Sequence, residues 1–556
     1  MCYYCGLKMG DEENIDLTIT GTINVEESVL ISRVREALAR GTKKVDIING
    51  FQVETDSNVD ILTGPICGEI TATSAVILLE VIGKNMENNI PIIAKLYKEG
   101  DDAEAVTSIE KEARSKRPFA IKFDNLEPKT GYTVTFNGVR RYCAQNGMAT
   151  FKTKPEFPTT FHFYALSCDR TRRLLLGQRN PWMKMLKHTS TVDCILHVGD
   201  QIYPDSEDIL HADEIFNEIY DGLDDEKKRM LTLRARAMYR NKYRTVFASK
   251  GKVDLMKKVS NLMIWSDNDV ANDFTTMKKE DGITQMYHPN FLQCGMRAYR
   301  EYQTRLWDPD CSSKLGAEIE EWHSHIYGNV GIFMCDLRGN RINGDGVQMS
   351  DNPLLSDKQW SDLEAFFQNP DLRVIVICSE TPFIGDEPEV VRKTIEKVPS
   401  LAFLRDHWPY NENELIRLLD LCFAFKHKSE EDDIPREVLL IGGDIHCGVT
   451  SIVRDNKTGM QITQLTTSPV TNHVCGFFCA LSGNISDRYN FSHLPLGDKF
   501  RNYADVHINI AEDDVFVHAK LVPVSTDIFK DTTWHNQKSI QDNSDDEDGG
   551  SEKEEE

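Results

Sequence analysis

The sequence predicts a layered α/β protein with a small all-β module in front of it, and three observations point there. From about 156 to 525, six short apolar runs (161–166, 192–198, 262–265, 330–334, 374–377 and 438–441) alternate with helical or loop-rich chain. Continuous apolar strands signal sheets buried on both faces, possible antiparallel members included. From about 61 to 155 the hydrophobic period falls to two, with turn signals between short runs, as in a β-sandwich. The 556 residues are 40% apolar and 27% charged, which excludes collagen, a coiled-coil rod and a wholly disordered chain, and gives room for roughly two to four domains.

Residues 1–60 read as an extension. Val29, Leu30, Ile31, Val34 and Leu38 lie at mixed helical spacing, so a short amphipathic helix is expected over 25–40. Cys2 and Cys5 form a CxxC with no second pair at zinc spacing. The start lacks a basic stretch followed by an apolar one, and no run reaches the ~20 apolar residues of a membrane span. Fourteen cysteines are too few for a disulfide scaffold, and several sit in apolar runs, so the expectation is a reduced, cytoplasmic protein.

Within 61–155, "CGEITATSAVILLEV", "PIIAKLYKEG" and "FAIKFDNLEPKTGYTVTFNGV" read as strands. "LEPKTGY" (126–132) resembles the turn and tyrosine of a fibronectin type III or immunoglobulin-like module. The layered domain is expected over 156–525, closed by two more β-like runs, "ADVHINI" and "VFVHAKLVPV". Residues 526–556 form an acidic tail: 542–556 hold nine acids and one lysine, too polar to fold.

The formal charge is −24, from 64 basic and 88 acidic residues. That argues against a nucleic-acid binder, which needs a basic face. It leaves room for an anionic substrate held by metal ions.

The chemistry collects after the apolar runs. They end in turn in Ser167-Cys168-Asp169, Gly199-Asp200-Gln201-Ile202-Tyr203, Ser266-Asp267-Asn268-Asp269, Cys335-Asp336-Leu337-Arg338, Cys378-Ser379-Glu380 and Gly442-Gly443-Asp444-Ile445-His446. Ligands of α/β sheets bind beyond the carboxyl ends of strands, so these residues are expected around one crevice. Converging carboxylates repel, and metal ions resolve the repulsion. Phosphate loops of the GxxxxGK[ST] type, GxSxG elbows and HExxH helices are missing from the sequence. His197, inside "ILHVGD", reads as a hydrogen-bonded core histidine.

In order along the chain, "SCDR", "GDQIYPD", "WSDNDVAND", "RAYREYQTRLW", "CDLRGNR", "LSDKQWSDLE", "CSETPF" and "GGDIHCG" resemble the alkaline phosphatase D (PhoD-like) branch of the calcineurin-like metallophosphatases, over about 61–525. The resemblance implies a metallophosphatase-like sheet sandwich flanked by helices, and a metal-dependent phosphoesterase acting on monoesters, diesters or both through metal-activated water. It implies that Cys168, Asp169, Asp200, Tyr203, Asp267, Asn272, Asp444 and His446 hold metal ions. Asp200 would bridge two of them, and the ions would be iron plus calcium, or manganese or zinc. Arg338 would clamp the phosphate of a small phosphate ester.

Two positions depart from the family, which usually places histidine where this chain has Asn268 and frequently aspartate where it has Ser266. Asparagine can donate a hydrogen bond but cannot act as a general acid. Asp269 and His446 are then the candidates for that proton, and Asn268, Asp269, His446 and Arg338 form the expected catalytic set. The competing expectation is an impaired enzyme serving as a binding scaffold. A peripheral enzyme acting on phospholipid finds no polybasic or lipidation signal to support it. The sequence is silent on oligomeric state.

Overall fold

The computed structural model describes residues 59–83, 89–100, 104–139, 148–170, 180–204, 215–275, 287–312, 320–342, 353–477, 479–497 and 500–524, and the backbone of a hairpin, β1 (Val45–Ile48) and β2 (Phe51–Glu54). The helix expected at 25–40, the CxxC pair and the acidic tail lie outside the described residues.

Seven strands build the front module. β3 (Val59–Ile70), β4 (Ala75–Gly83) and β7 (Pro118–Phe123) form one antiparallel sheet; β5 (Ile90–Lys98), β6 (Thr107–Ala113), β8 (Gly131–Asn137) and β9 (Met148–Lys152) form the other, in the order β6-β5-β8-β9. Alternate residues of β5 (Ile90, Ile92, Ala94, Leu96) meet Ile77, Leu79 and Val81 of β4 in its core. The Tyr132 hydroxyl accepts the Glu127 N–H at 3.0 Å, which pins the turn before β8. β4 reads as an apolar run interrupted only by Glu80 because both of its faces are covered. Leu78 belongs to the core of the following domain, and on that side Glu80 pairs with Arg244 at 2.6 Å.

The six apolar runs are shared between two sheets. β10 (Thr160–Leu166), β11 (Cys194–Val198) and β12 (Ser260–Ile264) run parallel, and β21 (Asn502–Ile510) with β22 (Val515–Pro523) adds an antiparallel edge, in the order β12-β11-β10-β21-β22. The second sheet is β13 (His323–Tyr327), β14 (Val330–Met334), β15 (Val374–Cys378), β16 (Glu437–Gly442), β18 (Gln461–Thr466), β17 (Val449–Asp455), β20 (Tyr489–Pro495) and β19 (Ser482–Asn484), in that spatial order.

The sheets lie face to face. Phe163, Ala165, Leu196 and Val198 join Ile332, Met334, Val376, Leu439 and Ile441 in one core. Helices among the described residues include α1 (Pro181–Met185), α2 (Asp225–Phe247), α3 (Lys252–Met256), α4 (Pro289–Tyr302), α5 (Asp357–Phe367), α6 (Pro388–Lys397) and α7 (Glu412–Asp432). α5 and α7 cover the outer face of the larger sheet, where Ile375, Ile377 and Leu440 meet Trp360, Leu363, Leu415 and Leu419. α1 and α3 cover part of the smaller one, placing Trp182, Met185 and Leu255 on Tyr164, Leu166 and Ile195. Strands covered on both faces have no polar side to show, hence their unalternating sequence. Among the described residues, no helix is long and apolar enough to cross a membrane.

Candidate metal centre

β10, β11 and β16 all end at the same edge of the sandwich, and each turns sharply there. Cys168 (φ 58°), Asp200 (φ 59°), Asp444 (φ 65°) and His446 (φ 52°) adopt the left-handed region, at a cost of order 1–3 kcal/mol each, a strain that concentrates at functional sites. Gly199 (φ 86°) lets the β11 turn close on the β12 turn: a Cβ there would lie 2.6 Å from the Ser266 Cβ. At Gly443 a Cβ would lie 2.6 Å from the Val198 carbonyl oxygen.

These turns bring two donor groups together around one carboxylate. Ligand atoms of Cys168, Asp200 and His446 lie within 4.8 Å of one another, as do those of Asp200, Asp267 and Asp444. The first group mixes sulfur, oxygen and nitrogen; the second is all oxygen. The Tyr203 hydroxyl sits at the first, donating to Asp200 Oδ2 at 2.7 Å and lying 3.1 Å from His446 Nε2. Cys168 Sγ is 3.3 Å from Asp200 Oδ2 and accepts from the hydroxyls of Ser468 (3.1 Å) and Ser167 (3.4 Å).

Three observations fit metal ions here. Asp200 Oδ1 is buried and has no hydrogen-bond partner among the described residues, and the same holds for Asn268 Oδ1. Carboxylates crowd with little positive charge: Arg338 is nearest, its Nη2 3.9 Å from Asp267 Oδ1. Burial, then the neighbouring carboxylates Asp267 and Asp444, push the Asp200 carboxyl well above its ordinary range; burial, Asp267 and Glu380 do the same to Asp444. Burial and Asp200 likewise raise Cys168 and Tyr203. Groups that hold protons so firmly are those a cation stabilises by taking the protons' place. Asp444 keeps 26% of its side chain open and marks the mouth of the site.

Four of the expected site residues make other contacts. Asp169 turns away, accepting from the Lys252 ammonium on Oδ2 at 2.5 Å and from the Thr471 hydroxyl on Oδ1 at 2.7 Å; both partners of the ion pair are fully buried. Asp269 does not face the crevice either. It accepts backbone N–H groups of Asp200 (3.0 Å), Gln201 (3.1 Å) and Ser266 (3.0 Å), and the Gln303 amide at 2.8 Å, so it shapes the Asp200 turn.

Arg338 is no open clamp. Glu380 takes its Nε at 2.6 Å and Nη2 at 3.1 Å, while Asp406 and Thr275 take Nη1 at 2.5 and 2.6 Å. Its charge is spent on neutralising a buried acidic set that includes Asp267. Asn272 directs its amide to Asp273 Oδ2 at 2.6 Å. Its neighbour Asp273 joins the electrostatics instead, lifted to about 7 by burial and Asp267. His197 packs in the core between Gln201 (2.9 Å) and Asn261 (3.0 Å).

Further residues reach the site without a motif to announce them. His473 Nε2 lies 3.3 Å from His446 Nδ1, and the Asn472 amide 3.2 Å from His446 Nε2. His407 Nε2 lies 3.4 Å from Asp444 Oδ2, and burial holds that imidazole down to about 4. Glu380 follows the end of β15, and that position was the available signal; Asp406 closes a 3-10 helix (Pro399–Asp406) and Asn472, His473 and His407 sit in irregular chain, places that carry no such signal.

Residues 163–484 match a family model described as PhoD-like phosphatase. Among solved structures the chain is similar to one described as the structure of PhoD, at 14% identity and TM-score 0.57, over 86% of this chain and 94% of that one. It is also similar to purple acid phosphatase PPD1 from yellow lupin (Lupinus luteus), at 8% identity and TM-score 0.50, over 87% and 76%. At such identities the likeness to these structures concerns the fold. No curated protein matches the chain in sequence.

Proposed function

The chain belongs to the PhoD-like phosphatase family, and on that premise we propose that it hydrolyses phosphate monoesters or diesters with metal-activated water at the Asp200 centre. One observation carries the reading: a single buried carboxylate is shared by two donor groups and has an oxygen with no partner among the described residues. Cys168, Asp200, Tyr203 and His446 would hold one ion, and thiolate with phenolate favours iron. Asp200, Asp267 and Asp444, with the Asn268 amide oxygen, would hold a harder one, calcium or else manganese or zinc. Ions bound there polarise phosphoryl oxygens and lower the pKa of water.

The chain's own residues set up that chemistry. Ser167 and Ser468 orient the sulfur of Cys168, and Asp269 fixes the backbone that carries Asp200. Arg338 offsets charge from behind Asp267. Asn268 brings an amide to the crevice but no transferable proton, which favours substrates with good leaving groups. The buried thiols of Cys194, Cys335 and Cys378 are free, as a reducing cytoplasm allows, whereas Cys475 is disulfide-bonded, against the expectation of a wholly reduced chain; we place the protein in the cytoplasm on the free thiols.

Asn268 in place of histidine, together with an arginine whose donors are taken, supports a second reading: a metal-bearing fold that turns over poorly and serves as a binding scaffold. The test is elemental analysis of protein purified without chelator or metal-affinity steps, together with hydrolysis of mono- and bis-nitrophenyl phosphate. Two or more metals per chain, with hydrolysis that Asp200→Asn abolishes, is the expected result. Two metals without hydrolysis selects the scaffold. Protein still metal-free after incubation with iron, calcium, manganese and zinc overturns both.

A further inference from the structure

A second convergence of ligand atoms lies at the other end of β10. Strand register pairs His162 of β10 with His507 of β21 and His507 with His518 of β22; one row on, Tyr164 pairs with Asp505 and Asp505 with Lys520. Alternate residues Phe161, Phe163, Val506 and Ala519 enter the inter-sheet core, so the histidine row lies on the outer face. His162 Nε2 is 2.8 Å from Asp505 Oδ1, and His507 Nε2 is 3.2 Å from that same oxygen. The three ligand atoms lie within 4.8 Å of one another, and the two imidazoles stack with centroids 3.7 Å apart at 21°.

The hydrogen-bond geometry around His162 suits a cation. His162 Nδ1 lies 3.1 Å from the Thr191 carbonyl oxygen, which can only accept, so Nδ1 carries hydrogen. The neutral ring then aims a lone pair from Nε2 at a carboxylate oxygen 2.8 Å away, an acceptor against an acceptor. That contact is relieved either by a second proton on His162, with His507 neutral and donating to the same oxygen, or by a metal ion seated among the three groups. One metal ion satisfies both rings and the carboxylate at once. The Thr191 hydrogen bond is the kind that fixes a metal-bound imidazole in the right tautomer. Lys520 approaches the other oxygen of Asp505, Oδ2, at 3.8 Å and leaves Oδ1 to the histidines.

We propose that His162, Asp505 and His507 form a transition-metal site of zinc type, with water or His518 in the fourth position, that ties β10 to β21. His162 lies six residues before Cys168, four of them along β10, so the site stands up to roughly 20 Å from that cysteine at ~3.3 Å per residue. It stands independently of the phosphoesterase reading.

The test uses full-length protein stripped with chelator and titrated with zinc alone, then with cobalt as a spectroscopic probe. Zinc per chain is counted after desalting, and affinity is read by competition with a zinc indicator. Wild type should retain one zinc more than His507→Ala and than Asp505→Asn, and the variants should lose the corresponding competition step by at least ~10-fold in affinity. His507 is half-exposed, so its alanine variant keeps the fold and decides the matter should Asp505→Asn fold poorly. Equal zinc content and equal affinity in wild type and His507→Ala would overturn the site and leave a protonated His162–Asp505 pair in its place.

Discussion

Replacing Asp200 by asparagine should stabilise the protein stripped of metal and destabilise the protein loaded with it. Ligand atoms of Asp200, Asp267 and Asp444 lie within 4.8 Å of one another. At that separation and an effective dielectric of about 20, two like charges repel by about 3.5 kcal/mol, so Asp200 faces roughly 7 kcal/mol from its two neighbours when all three are ionised. Bound protons and the Arg338 charge relieve most of this, and a gain of about 2 kcal/mol for Asp200→Asn at pH 8 is the expected remainder. Asparagine keeps an oxygen for the Tyr203 hydroxyl, and Asp269 still holds the turn through the backbone, so the fold is not otherwise disturbed. With metal present the sign reverses. The variant lacks the shared anionic ligand and forfeits binding stabilisation of about 2.7 kcal/mol at a metal concentration 100 times Kd. Urea unfolding at pH 8, in chelator and in saturating metal with metals counted, reads both arms. Loss of stability in chelator as large as that in metal would refute the reasoning, because Asp200 would then be a cap that supports the turn.

Asp269→Asn should cost about 2–3 kcal/mol in urea unfolding, since three backbone N–H groups lose a charged acceptor; metal titration should show affinity down about 10–100-fold. Asn268→His should raise kcat/KM by up to ~10²–10⁴ on esters with poor leaving groups and little on nitrophenyl esters, flattening the dependence of rate on leaving-group pKa. Arg338→Met should destabilise by about 3–5 kcal/mol by stranding Glu380 and Asp406, seen as a lowered urea midpoint; a clamp would instead raise KM at unchanged stability. The chelated protein should lose Tm as pH rises from about 4 to about 7. Burial lifts Asp269, Asp273 and Glu380 to about 7, so the folded state binds more protons than the unfolded chain across that window, and stability present below it is lost as those protons leave. Saturating metal should flatten the slope.

The convergence around Asp200 was legible because each of the converging residues sits within a few positions after an apolar run. Strands covered on both faces must be apolar throughout, so a polar residue at the end of such a run marks the sheet edge where turns meet. Cys168, Asp200, Tyr203, Asp267, Asp444 and His446 share that edge for this reason. Arg338 and Asp169 follow apolar runs too and yet do different work, because position in the sequence does not name a partner. Asp169 finds Lys252, 83 residues away, and Arg338 finds Glu380 and Asp406, 42 and 68 residues away.

The sequence by itself determined the layered class, the family and the edge at which the ligand atoms gather, because hydrophobic period and strand-end chemistry are local. Only the tertiary structure decided how the runs divide between two sheets, that Asp200 Oδ1 has no partner among the described residues, and which carboxylates are neutralised by a buried cation. It also decided that His162 and His507, 345 residues apart, stand opposite each other. These are questions of pairing, and pairing is settled by burial and charge across distances along the chain that no local pattern spans.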